Sequence, residues 1–228
     1  MTMKILLLCF VSFACLTGST LAAPSAEKGA VIFSDDFNRA ELGAAWRVLH
    51  PECVLADGAL KISQVKEHSA VGMVKVGAKD VTVEFRFRLG GATSINAVFN
   101  DRDFKEGHGG HLARVSLSPR QIFLADDKER LRHEIEEMRK DPKRKAEATQ
   151  LTAGRSVGFP IKLDPTRWYQ LAITVLGEEM RVSLDGKNVG SLKSSGIAHP
   201  VKSDFYFSVS GKDALFDDLR IGDAASAN

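Results

Sequence analysis

Apolar and polar residues alternate with a period of two along most of this chain. Val81, Val83, Phe85, Phe87 and Leu89 are separated by Thr82, Glu84, Arg86 and Arg88, while Tyr169, Leu171, Ile173 and Val175 are separated by Gln170, Ala172 and Thr174. Successive side chains on a strand point to opposite faces, so each run predicts a strand buried on one face only. Shorter runs at 31–33, 59–63, 70–76, 95–99, 112–118, 121–125, 180–184, 188–192, 204–209 and 214–221 predict further strands. Asp57-Gly58 and Asp185-Gly186 lie between such runs and suit two-residue turns with positive φ, and Gly177-Glu178-Glu179 suits another tight turn. Strand follows strand without intervening helices, which disfavours βαβ units and a parallel sheet. The chain therefore reads as all-β, a two-sheet antiparallel sandwich.

One charged segment, at about 126–154, breaks the alternation. Leu131, Ile135 and Met138 recur at i, i+4 and i+7, a thin apolar stripe on an otherwise solvated helix. Asp126 or Asp127 is placed to cap it and Pro142 to end it, with a second short helical turn at 146–151. The segment predicts a helical insertion between two strands, with mixed charges such as Glu136 and Lys140 at i,i+4.

Composition narrows the picture. The 228 residues are 44% hydrophobic and 26% charged, enough apolar material for a full core and too much for disorder. A formal net charge of +2 argues against a nucleic-acid partner held by a basic surface. Lys4, the apolar run from Ile5 to Leu16 and the small residues Thr20-Leu21-Ala22 read as an export signal cleaved after Ala22. That run is shorter than the roughly 20 residues a spanning helix needs, and no later run is longer, so no membrane insertion is expected. The expected layout is a signal at 1–22, a linker at 23–29, a sandwich at 30–224 and a tail at 225–228, in a periplasmic, cell-surface or extracellular protein. Cleavage would leave Cys53 as the lone cysteine, so no internal disulfide is expected; beside Val54 and Leu55 it reads as a buried, inert thiol.

Several segments, taken in order, carry a resemblance. They are Asp35-Asp36-Phe37-Asn38-Arg39 with Leu42-Gly43 and Trp46; Asp57-Gly58-Ala59-Leu60; Val83-Glu84-Phe85-Arg86-Phe87; Arg167-Trp168-Tyr169, leading to Met180-Arg181-Val182-Ser183-Leu184-Asp185-Gly186; and Phe216-Asp217-Asp218-Leu219-Arg220-Ile221. The set resembles the concanavalin A-like jelly roll, in particular the 3-keto-disaccharide hydrolase-like domain loosely related to glycoside hydrolase family 16. The resemblance implies an extracellular, carbohydrate-directed protein that holds a saccharide on a concave sheet. Family 16 enzymes carry Glu, Asp and Glu on alternate positions of one strand, where one carboxylate attacks and another protonates the leaving group. No Glu here is followed by Asp two residues on, and the comparable strand has Glu84, Arg86 and Arg88. The retaining mechanism of that family is therefore not expected.

Three groups of residues carry candidate chemistry. Glu84, Arg86 and Arg88 share one face: if it lines the concavity, Glu84 is a general acid or base and the arginines hold sugar hydroxyls; otherwise they form ion pairs on a solvated face. Asn100-Asp101-Arg102-Asp103, then Glu106-Gly107-His108-Gly109-Gly110-His111, then Arg114, form the densest polar stretch. His108 and His111 suit proton transfer near neutral pH, with Asp101 or Asp103 orienting one of them and Asn100, Asp101 and Arg114 holding substrate. The glycines suit a loop that approaches a ligand closely, and a flexible polar loop is the plain alternative. A metal held by His108, His111 and Glu106 lacks the His-Glu-x-x-His or cysteine-pair pattern. No cofactor is expected, calcium at Asp35, Asp36, Asp217 and Asp218 being the alternative. Trp46 and Trp168 suit either core anchoring or stacking on a sugar ring. Two functions remain open: a sugar-acting hydrolase, and a lectin-like binding or adhesion module on the same face.

Overall fold

The period-two runs become strands, and their apolar members close one core between two sheets. The protein is described by a computed structural model at residues 29–49, 52–64 and 70–224; the expected export signal, most of the expected linker and the expected 225–228 tail lie outside the described residues. An eight-stranded sheet runs β13 (Lys187–Lys193), β12 (Glu179–Leu184), β11 (Tyr169–Leu176), β6 (Val81–Arg88), β15 (Asp213–Asp223), β4 (Ala59–Ser63) and β3 (Cys53–Ala56), with β1 (Val31–Asp35) also paired to β15. A seven-stranded sheet runs β10 (Ser156–Pro160), β9 (Gln121–Asp126), β8 (His111–Ser118), β7 (Ala92–Asn100), β14 (Lys202–Gly211), β5 (Ala70–Ala78) and β2 (Arg47–Val48). The pairings are antiparallel throughout both sheets. This is the jelly-roll sandwich that the sequence predicts.

The strands pack by their alternate residues. Val83, Phe85 and Phe87 of β6, Leu171 and Ile173 of β11 and Phe216 of β15 share one cluster with Ala97 and Phe99 of β7, Val115 of β8 and Phe205 and Phe207 of β14. Phe207 bridges the sheets, edge-on to Phe85 at 4.8 Å and stacked on Phe216 at 4.1 Å. Fully burying each such side chain stabilises the fold by about 1.5–3 kcal/mol. Since inward positions alternate with outward ones, this core also fixes which side chains reach solvent on each sheet.

Asp57-Gly58 and Asp185-Gly186 both take positive φ, at 54° and 72° and at 49° and 74°, as the two-residue hairpins require. Three strands lack a sequence signal. β2 has two residues, β3 extends the apolar start at Cys53, and β10 contains Gly158 and Pro160, tolerated because it is an edge strand paired only with β9.

The helical insertion joins β9 to β10 as α1 (Asp127–Arg130), α2 (His133–Lys140) and α3 (Lys145–Leu151). Asp126 caps α1 by accepting from Glu129 N at 3.1 Å. The single helix expected up to Pro142 is interrupted at Leu131 and Arg132. There His108 N donates to Leu131 O at 2.9 Å, His133 N donates to Glu106 O at 3.0 Å, and Gly107 bridges Arg132. The chain leaves its helix to clamp the loop after β7. Ile135 and Met138 then bury against Ala148 of α3, while Lys140 pairs with Glu137 at 2.6 Å rather than with Glu136.

Cys53 is buried, which pushes its thiol up to about 12 and leaves it a poor nucleophile at neutral pH. No helix among the described residues is long and apolar enough to cross a membrane.

Candidate functional site

The sandwich has two outward faces, and the residues expected to act together divide between them. Glu84, Arg86 and Arg88 stand on the outward side of β6, because Val83, Phe85 and Phe87 fill the core. Arg86 Nη1 lies 3.2 Å from Asp217 and 3.4 Å from Asp218. The guanidinium groups of Arg86 and Arg88 sit 5.0 and 5.3 Å from the ring centre of half-buried Trp168, a cation–π arrangement. Asn100, Asp101, His108, His111 and Arg114 belong instead to the seven-stranded sheet and its loop. The two groups stand on different sheets, and period-two geometry aims them at opposite sides of the molecule.

The outward side of the seven-stranded sheet is ordered in rows by strand register. Ser208, Asn96 and Ser116 are neighbours across β14, β7 and β8. Asn96 Nδ2 donates to Ser208 Oγ at 3.1 Å, and Ser116 Oγ donates to Asn96 Oδ1 at 2.6 Å. In the next row Met73, Tyr206, Val98 and Arg114 follow one another across β5, β14, β7 and β8. Met73, Val98 and Tyr206 pack as a small apolar cluster of their own, outside the main core.

His111 enters this row from the start of β8. Its Nε2 lies 2.6 Å from the Tyr206 hydroxyl, and His108 stands edge-on with ring centres 5.4 Å apart. Burial first, then the charges of His108 and Arg114, bring His111 down to about 4, so its imidazole is neutral at neutral pH. Burial also raises the Tyr206 hydroxyl well above the usual phenol range. Arg114 Nε is 2.8 Å from Asp127 Oδ2, and Arg130 Nη1 donates to Asp127 Oδ1 at 3.1 Å. Asp127 is fully buried between them; burial pushes its carboxyl up, against the pull of both arginines. The arrangement is a neutral proton acceptor hydrogen-bonded to a phenol, beside a cluster with one more cation than anion.

The loop from 101 to 110 differs from its expected role. Asp101 orients neither His108 nor His111: it accepts from His199 Nε2 at 2.8 Å and from Asp103 N at 3.1 Å. Gly110 has φ +74°, and an added Cβ would lie 2.2 Å from the Asp101 carbonyl oxygen, so the close backbone approach is internal to the loop. His108 is exposed, while Asn100 is only 5% exposed and its buried Oδ1 lacks a hydrogen-bond partner. Asn100 also lines an open cleft of about 450 Å³, with Arg47, Met73, Arg102, Phe104, Lys105 and His133 among its other walls.

Among the described residues no three His, Cys, Asp or Glu side chains gather as a metal site. At the calcium alternative, Asp35 is engaged by Arg39, by Trp46 Nε1 at 2.7 Å and by Phe37 N at 2.8 Å, which makes Trp46 a core anchor.

Sequence reasoning missed Tyr206, Asn96, Ser116, Ser208 and Asp127. Polar residues at alternate positions of 94–100, 114–118 and 204–210 were the available signal. Their adjacency depends on a register between distant strands.

Fold and rows together define the class: a two-sheet antiparallel jelly-roll β-sandwich with a polar outward face on its seven-stranded sheet. No protein family model matches the chain, and no curated protein does. Solved structures do match in fold. A carbohydrate-binding module, CBM66 from Bacillus subtilis, shares 12% identity over 80% of this chain and 98% of its own, with a TM-score of 0.54. SCLam, a non-specific endo-β-1,3(4)-glucanase of family GH16, shares 13% over 88% and 92%, with a TM-score of 0.56. The catalytic domain of an endo-1,3-β-glucanase (laminarinase) from Thermotoga petrophila shares 12% over 86% and 99%, also at 0.56.

Proposed function

We propose that this chain is an exported, carbohydrate-directed protein that lays a saccharide across the outward side of its seven-stranded sheet. The observation that carries the reading is the His111–Tyr206 pair, 2.6 Å apart, beside the Asn96–Ser116–Ser208 ladder on that same side. Hydroxyl and amide groups along a sheet suit sugar hydroxyls, and the fold's likeness to a carbohydrate-binding module and to glucanases supports the substrate class.

The chemistry it suits best is hydrolysis of a 3-keto-disaccharide, in line with the resemblance in the sequence. A 3-keto group acidifies the neighbouring C2–H, so a neutral base can serve where no carboxylate pair is present. The Tyr206–His111 pair takes the C2 proton, the phenol passing its own proton to His111 Nε2; that proton is returned to the departing oxygen as the C1–O bond breaks, and water then adds across C1=C2, its hydroxyl to C1 and its proton to C2. His108 is the exposed imidazole placed to exchange protons with solvent. Asn100 and Arg114 hold the sugar, Asp101 positions the loop, and Glu84, Arg86 and Arg88 stand outside the site.

Non-catalytic binding is the second reading. It is favoured by the engagement of Asp127 and Asp204, whose carboxylates are both tied to arginines on this side. The test is turnover of a 3-keto-disaccharide together with oligosaccharide binding. Turnover lost in His111→Ala and kept in Glu84→Gln supports the enzyme. Binding without turnover in the unaltered protein supports the binder, and neither binding nor turnover contradicts both.

A further inference from the structure

Two clefts meet along the β2 edge of the seven-stranded sheet. The one lined by Asn100 shares Arg47, Met73 and Arg102 with a neighbour of about 360 Å³ that adds Phe33, Lys75 and Asp204. Together they form a groove walled by four permanent cations, Arg47, Lys75, Arg102 and Lys105. Among the described residues Asp204 is the only carboxylate of the lining, and it is spent: fully buried, it accepts from Arg102 Nε at 2.6 Å and also meets Arg102 Nη2. Arg47 and Lys75 are exposed and keep their charges toward solvent. β2 is two residues long, so it covers little of β5 and leaves the groove open along that edge.

We infer that this groove binds an acidic stretch of glycan, with carboxylate or sulfate groups on the sugars. The inference rests on the saccharide reading above and names its substrate class. Charge alone would take any anion, but the floor adds a second demand. Asn100 adds a neutral amide to the lining, a group that pairs with sugar hydroxyls as well as with their acidic substituents. Met73 offers an apolar surface beside it for the face of the ring. The groove also reaches the reactive row directly, since Met73 is the cross-strand neighbour of Tyr206 and Gly109 lies against the His111 ring.

The test is calorimetric titration of the purified protein with three oligosaccharides of equal length: a uronate oligomer, a sulfated oligomer and a neutral one. At least one acidic oligomer should bind about tenfold or more tighter than the neutral one, and which acidic arm responds identifies the anion. Raising salt from about 50 to about 500 mM should erase the preference. Arg47→Glu with Lys75→Glu should weaken acidic binding about tenfold or more, a far larger loss than neutral binding suffers. Both side chains are exposed, and Arg47→Gln with Lys75→Gln gives a milder variant should the reversal disturb folding. Equal affinity for acidic and neutral oligomers, or acidic binding untouched by either double variant, overturns the inference and leaves the saccharide reading standing. Failure of all three to bind overturns both.

Discussion

On the outward side of the eight-stranded sheet, basic residues meet carboxylates: Lys61 with Asp213 at 2.9 Å, Arg86 with Asp217 at 3.2 Å, Arg167 with Asp185 at 2.7 Å and Arg181 with Glu179 at 2.6 Å. On the seven-stranded sheet the outward side holds a neutral hydrogen-bonded ladder, a histidine beside a phenol, and cations gathered along one edge. Both faces grow from the same alternation. The first spends its charges on itself, in exposed pairs that contribute little to stability. The second pairs its arginines with carboxylates that are themselves fully buried, and presents its other cations to solvent. A row of charges on a strand is therefore no guide to a binding face until its partners are known.

The largest contrast concerns stability. Asp127→Asn leaves Arg114 and Arg130 without their buried counter-charge and should destabilise the protein by about 3–5 kcal/mol, read as a fall in denaturation midpoint. Arg86→Ala on the opposite face should cost about 1 kcal/mol or less, because its guanidinium stands largely in solvent. Equal losses would dissolve the distinction.

A second contrast lies in pH. In the unfolded chain His111 takes a proton near the ordinary value of about 6.5, but in the folded protein only at about 4. Between those values the unfolded chain binds more protons, so stability falls as the pH drops from about 6.5 to about 4, by at most about 3 kcal/mol. His108, Arg114 and Tyr206 face the ring, and the two cationic groups among them oppose its charging. Denaturation of His111→Gln across that range should show a shallower loss. An identical slope would place the acid sensitivity elsewhere.

The smallest effects fall on the faces themselves. Asn96→Ala removes the middle of the ladder and should cost about 1 kcal/mol while weakening oligosaccharide binding. Glu84→Gln should leave that binding within about twofold. Calorimetry on the two variants side by side checks both, and the reverse ranking would move the site to the other sheet.

The strands and hairpins were legible because alternation and Asp-Gly turns are local signals. Twelve runs in the sequence coincide with strands, and the Asp126 cap and the Ile135–Met138 stripe fall where expected. What was not legible is long-range. The alternation of β6 says that Glu84 and Arg86 face outward, but not from which sheet. Tyr206 hides between Phe205 and Phe207, and only the pairing of β14 with β7 brings it to the row beside His111. Asp127 reads as a helix-start acid, and its burial between Arg114 and Arg130 depends on the insertion folding back onto β8. Asp101 lies nearest in sequence to His108 and His111, whereas its partner is His199, distant in the chain.

The account stands on which face receives the sugar, and a nuclear magnetic resonance titration of the isotope-labelled protein with an acidic oligosaccharide addresses that directly. Amide shifts should concentrate at Met73, Asn96, Asn100, His111, Ser116 and Ser208. Shifts confined to Arg86, Gln170 and Asp217, with the seven-stranded sheet silent, would contradict it.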